Sequence, residues 1–186
     1  SESLLDYFAQ VARRRYVCIE YGVESVNDSL RRIRRGHDVA CAADAIRRTA
    51  ARQIQVGVHF ILGLPGDTRL IGCSRRRWVS DLPVNLLKLH QLQVIRDTPL
   101  AVEFRRNPSA VTLFSAEAYA AAVAEYLEHL SPHVVVERFT SQARSLGAGP
   151  ALGVEERSVR QVVARPHARA SCLAGPMLSV WSGGSG

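Results

Sequence analysis

The sequence predicts an α/β fold in which the strands run parallel. Two observations carry this. Runs rich in β-branched residues recur at 16–22, 54–62, 85–95 and 133–139. Between them lie segments with apolar residues at helical spacing. Strands alternating with helices of this length imply βαβ units, and a crossover helix joins parallel strands.

The elements follow in order. Leu4, Leu5, Phe8 and Val11 share one face of an amphipathic helix over 3–14. "YVCIEYG", 16–22, is the first strand. Asp38 is placed to cap a second helix, whose stripe is Val39, Ala43, Ile46 and Ala50. "IQVGVHFIL", 54–62, is the second strand, and it runs into the tight turn "GLPGDT". Residues 69–80 are helical by position, although "RLIGCSRRRWV" is poorly patterned. "NLLKLHQLQVI", 85–95, is the third strand. Ser115 can cap a long helix that buries Tyr119, Val123, Tyr126, Leu127 and Leu130, and "HVVVERF", 133–139, is the fourth strand.

A parallel sheet buries both faces, so polar residues inside its strands call for a reason. Alternation sorts them. Glu20 lies opposite Val17, Ile19 and Tyr21, and His59 lies opposite Val56, Val58 and Phe60. Lys88 and His90 lie opposite Leu87, Leu89 and Gln91. With the apolar faces packed on helices, Glu20, His59, Lys88 and His90 converge on one interior, as a binding site requires. A single histidine or glutamate in a strand is more often a hydrogen-bonded core residue; four on matching faces of three strands favour a site.

Composition narrows the class. The net charge is +7, Lys88 is the only lysine, and no basic cluster is interleaved with aromatics as a nucleic-acid stacking platform would be. The arginine bias also fits a GC-rich coding sequence. Weak RNA affinity is allowed, behind a small-molecule cofactor as the expected partner. No apolar run nears the roughly 20 residues of a membrane-spanning helix, and no leader pattern opens the chain. Cys18, Cys41, Cys73 and Cys172 are too scattered for a zinc or iron–sulfur motif. A reduced, cytoplasmic protein without membrane contact is expected. The chain opens at Ser1 and its only methionine is Met177, so an internal piece of something longer is expected.

"IEYGVESVNDSLRRIRRGHD", "HFILGLPGDT" and "VNLLKLHQLQVIRDTPLA" together resemble the radical SAM superfamily. Within it they are most similar to the YhcC-like group, related to oxygen-independent coproporphyrinogen oxidase and the Elongator catalytic subunit. The resemblance covers roughly residues 1–142. It implies the second half of a partial (β/α) barrel, with strand 16–22 matching the family's fourth strand, 54–62 the fifth and 85–93 the sixth. It also implies S-adenosyl-L-methionine and a 4Fe–4S cluster in the intact family, where the cluster reductively cleaves the cofactor to a 5′-deoxyadenosyl radical.

Site residues follow from the same resemblance. Glu24 in "GVES" stands where the family's ribose-binding segment has Gln; a carboxylate accepts hydrogen bonds there but cannot donate. Arg35 matches an arginine near the cofactor's carboxylate, a task suited to a forked guanidinium. His59 matches a fifth-strand position beside the cofactor. Gly63, Pro65 and Gly66 form a loop on the adenine side, where glycines let backbone come close to a ligand and proline stiffens the turn. Lys88, His90 and Gln91 match sixth-strand positions facing cofactor or substrate. With Glu20, these are the expected cofactor-binding residues.

The sequence departs from the family in two ways. It contains no C-x3-C-x2-C cluster motif and lacks the first strands, so the chain alone is expected to be poorly stable and catalytically silent. Residues 1–143 form the half barrel with its following helix and strand; 144–186 read as an irregular tail. One choice of synonymous codons from Ser145, read one base later, gives "AWVLAPRWGLK", similar to an "LAPxW" segment of relatives, which suggests a shifted frame. The alternatives are an Elongator-like tRNA-modifying enzyme and a non-catalytic remnant that binds the cofactor or a partner. A hydrolase built on Glu20, His59 and His90 ranks last for want of a nucleophile arrangement.

Overall fold

A computed structural model of the chain describes residues 1–26, 35–67 and 69–140. The elements are α1 (Glu2–Ala12), β1 (Cys18–Glu24), α2 (Val39–Ala50), β2 (Gln55–Leu62), α3 (Arg69–Ser80), β3 (Leu86–Gln91), α4 (Pro99–Arg106), a 3₁₀ turn (Pro108–Ala110), α5 (Ala116–Glu128) and β4 (Val135–Arg138). The strands form one sheet in the order β1-β2-β3-β4, and every pairing is parallel. This is the parallel α/β arrangement expected from the alternating pattern, in keeping with the half barrel that the resemblance implies. The proposed tail, 144–186, lies outside the described residues.

Local chemistry sets the helix starts. Asp38 Oδ1 accepts from the Cys41 amide at 2.7 Å, and Ser115 Oγ from the Ala118 amide at 3.2 Å. Residues 69–80 are helical despite their weak pattern. Helix α4 escaped the sequence reading, although its signal is local: Thr98 caps it and Pro99 opens it. The third strand stops at Gln91 instead of 95 because residues beyond it turn toward a second apolar cluster of Leu64, Leu92, Val94, Ala101 and Val111.

The main core fills one face of the sheet. Val56, Val58, Phe60 and Leu62 of β2 alternate into it with Leu87 and Leu89 of β3, all essentially inaccessible. Ala42, Ala43 and Ile46 of α2, Val79 of α3, and Tyr119, Val123 and Tyr126 of α5 cover them. The other face differs from the both-faces-buried expectation. Cys18, His59, Lys88 and His90 are half-buried there and Glu20 is exposed. In a barrel that side is the interior, and with four strands it stays open.

The loop after β2 is built from its own backbone. Gly63 has φ 97° and Gly66 has φ 84°, both in the left-handed region that glycine tolerates. A Cβ on Gly63 would run into the Thr112 carbonyl, and Thr112 N–H donates to Gly63 O at 3.1 Å. The close approach suggested for a ligand at Gly63 is therefore taken by residue 112 of the same chain. Gly63→Ala is expected to destabilise the chain by about 1–3 kcal/mol or more, read as a lower urea midpoint with unchanged slope.

Candidate functional site

The polar residues sorted by alternation meet on the open face. In register, Glu20 lies beside Gly57, Gly22 beside His59, His59 beside Lys88, and Ile61 beside His90. Glu20 sits on β1 and Lys88 on β3, so β2 separates them by two strand spacings, roughly 10 Å of sheet. Gly57 explains how they touch. A Cβ there would stand 2.9 Å from Glu20 Cγ, so its absence lets the glutamate lie across β2. Lys88 Nζ then donates to both Glu20 oxygens at 2.7 Å, and His59 Nε2 lies 2.6 Å from Glu20 Oε2.

Electrostatics fix the protons in this cluster. The Lys88 hydrogen bonds hold the Glu20 carboxyl below its usual range, overcoming burial, and His59 adds to the effect. An ionised carboxylate only accepts, so His59 contributes Nε2–H. Burial works against the Lys88 charge, but Glu20 and then Glu137, 3.5 Å away, outweigh it and raise its pKa. The His59 and His90 rings lie 5.5 Å apart at 40°. The result is a charge-assisted network open to solvent on one side, able to donate and accept toward a polar ligand.

A second pair stands at the end of β1. The strand bulges between Gly22 and Glu24, and Glu24 has φ 62°. Arg35 donates to the Gly22 carbonyl at 2.7 Å and pairs with Glu24 Oε1 at 2.9 Å. Burial pushes the Glu24 carboxyl up, and Arg35 pulls it back. Thus the two residues expected to meet the cofactor's ribose and carboxylate bond each other, with Arg35 still partly exposed.

The other expected positions differ. Gln91 is a correction: it is buried on the helix-packed face with Leu87 and Leu89, because odd and even residues of β3 cannot share a face. Pro65 is buried and Gly66 exposed in the loop after β2. A recess of about 460 Å³ opens at the N-terminal ends of β2 and β3, lined in part by Gln53, Asn85 and His133. None of the expected residues lines it. In barrels that end serves stability, and the strands' C-terminal ends carry chemistry.

Two residues were missed. Asp67 closes the loop after β2, its Oδ2 accepting from the Gly63 and Leu64 amides at 2.9 and 3.1 Å. Arg75 pairs with Asp67 Oδ1 at 2.6 Å, and both side chains are inaccessible. Burial pushes the Asp67 carboxyl up, while Arg75 and the loop amides draw it down. The aspartate of "GLPGDT" was legible as a turn-closing side chain. The arginine was not, since it sits inside the unpatterned stretch.

Among the described residues no group of three or more His, Cys, Asp or Glu could hold a metal, and Cys18 and Cys41 are free thiols. Glu20, His59 and Lys88 on the open face, with Arg35 at the end of β1, offer both acceptors and donors to a polar ligand. No described helix is long and apolar enough to cross a membrane.

Comparison with known proteins agrees with this fold. The Radical_SAM C-terminal domain model matches residues 84–164. YtqA of Bacillus subtilis is 28% identical over 160 residues, covering 85% of this chain and 49% of that protein. YhcC of Escherichia coli K12 is 28% identical over 145 residues, covering 77% of this chain and 46% of its own. The chain therefore spans about half the length of the curated relatives it matches. The solved structure of Methanocaldococcus infernus Elp3 with an N-terminal deletion superposes with TM-score 0.73 at 17% identity. It covers 90% of this chain and 39% of that one, a likeness of fold.

The Glu20 network yields a pH prediction. A depressed carboxylate pKa gives stability that is present above the ordinary Glu range and lost as pH falls through the folded-state value. The wild-type urea midpoint should therefore exceed that of Glu20→Gln near pH 7, and the gap should close as pH falls below the ordinary Glu range. A constant gap across that range would show that the Glu20 charge does not contribute.

Proposed function

Because the chain belongs to the radical SAM superfamily, of which it spans a C-terminal part, we propose that it supplies the cofactor-side wall of such an enzyme. The observation that carries this reading is the convergence of Glu20, His59, Lys88 and His90 on the open face of three parallel strands. In the intact family the bound S-adenosylmethionine, with its cluster, supplies a 5′-deoxyadenosyl radical. This chain's part is to bind and orient. Lys88 and His59 offer donors, Glu20 accepts from hydroxyl groups, and Arg35 offers a fork to a carboxylate once Glu24 yields it.

No radical step is assigned to this chain, because the donor set among its described residues does not fit a cluster. A non-catalytic cofactor-binding role is the second reading, favoured by that same misfit. The two part on one point: whether an added polypeptide carrying a C-x3-C-x2-C cluster restores cofactor cleavage.

The direct test is calorimetry with S-adenosylhomocysteine, which binds like the cofactor without reacting. Purified chain should bind it, and Lys88→Met should weaken binding by about tenfold or more, the usual worth of a charged hydrogen bond. Iron and sulfide added to the same chain should produce no stable cluster absorbance. Absence of binding up to millimolar ligand would sink the proposal.

A further inference from the structure

We propose that Arg75 is a positioning residue that couples Ser25, just beyond β1, to the loop after β2, so that the two respond to a ligand as one unit. Its Nη2 donates to Asp67 Oδ1 at 2.6 Å and to Ser25 Oγ at 2.8 Å. Asp67 Oδ2 in turn holds the Gly63 and Leu64 amides. Ser25 follows Glu24, the left-handed residue that ends β1, and Ser25 N–H donates to Val23 O at 2.7 Å. One nitrogen of one side chain thus joins the segment after β1 to the loop after β2. Neither Ser25 nor Asp67 can shift sideways without lengthening a bond to that atom.

The surroundings make Arg75 a poor choice for stability alone. The side chain is wholly inaccessible, with its guanidinium 5.9 Å from the Phe60 ring centroid. Its Nε and Nη1 have no hydrogen-bond partner among the described residues. Each unsatisfied buried donor costs stability, because its lost hydration is not replaced. A buried ion pair is often matched or bettered in stability by apolar residues of similar volume. What an apolar residue could not do is link Ser25 to Asp67. The adenosyl-ligand part of the inference rests on the function proposed above; the coupling itself does not.

Amide hydrogen exchange on the full chain, read by nuclear magnetic resonance, tests it without ligand. Ser25→Ala should speed exchange at Gly63 and Leu64, on the other loop, by about fivefold or more, the low end of measurable coupling. In an Asp67→Asn/Arg75→Met background, which removes both charges together, Ser25→Ala should change those amides no further. Should that background not fold, Arg75→Lys replaces it, and the effect of Ser25→Ala should shrink there. Unchanged exchange at Gly63 and Leu64 on Ser25→Ala, or equal acceleration with and without Arg75, would overturn the coupling. Added S-adenosylhomocysteine should slow exchange at Ser25, Gly63 and Leu64 together in the wild type. If the wild type does not bind it, the proposed function fails, while the ligand-free exchange still decides the coupling.

Discussion

Everything in this structure depends on the alternation of side chains along parallel strands, with one face dry and the other wet. Val56, Val58, Phe60 and Leu62 take the dry face of β2 and are sealed by α2, α3 and α5. At roughly 25 cal/mol per Å² of apolar area, burying side chains of this size contributes a few kcal/mol each, which fixes which face is which. Once that is settled, His59 must lie on the opposite side, and so must Glu20 and Lys88. A one-residue slip would bury two charges and a histidine, so register and site are specified by the same term. The site is thus a by-product of core packing before it is anything else.

The open face nevertheless needs more than alternation. Glu20 and Lys88 are separated by a whole strand, and only the missing Cβ at Gly57 lets the carboxylate lie across it. An exposed pair of this kind would ordinarily add little. Here Lys88 is mostly covered and uses two hydrogen bonds to one carboxylate, with His59 on the same oxygen. The three side chains hold each other in one arrangement, which lowers the cost of ordering them when a ligand arrives.

The sequence made the sheet, its order of elements and the convergence of four polar residues legible, because each rests on local periodicity or a cap such as Asp38 or Ser115. Three features were not legible, for different reasons. Gln91 follows His90 directly, and family resemblance grouped them although alternation parts them. Helix α4 is only eight residues long, too short for periodicity, so Thr98 and Pro99 were its sole signal. Arg75 depends on a contact fifty residues away in sequence, with Ser25, which no local pattern encodes.

The buried arginine bears on how the site can work. Asp67 alone would close the loop after β2 through the Gly63 and Leu64 amides, as turn aspartates commonly do. With a carboxylate so enclosed, burial drives its pKa up and favours the neutral form, which would weaken those bonds. Arg75 opposes that drift in part and bonds the same carboxylate at 2.6 Å, so the shape of the loop depends on a residue from α3. Arg76, next to it, is also buried and donates to the Glu125 carbonyl of α5 at 2.9 Å. Two adjacent arginines turned inward tie α3 both to the site loops and to the helix behind it. The unpatterned stretch of the sequence is therefore where the core and the mouth of the half barrel are joined.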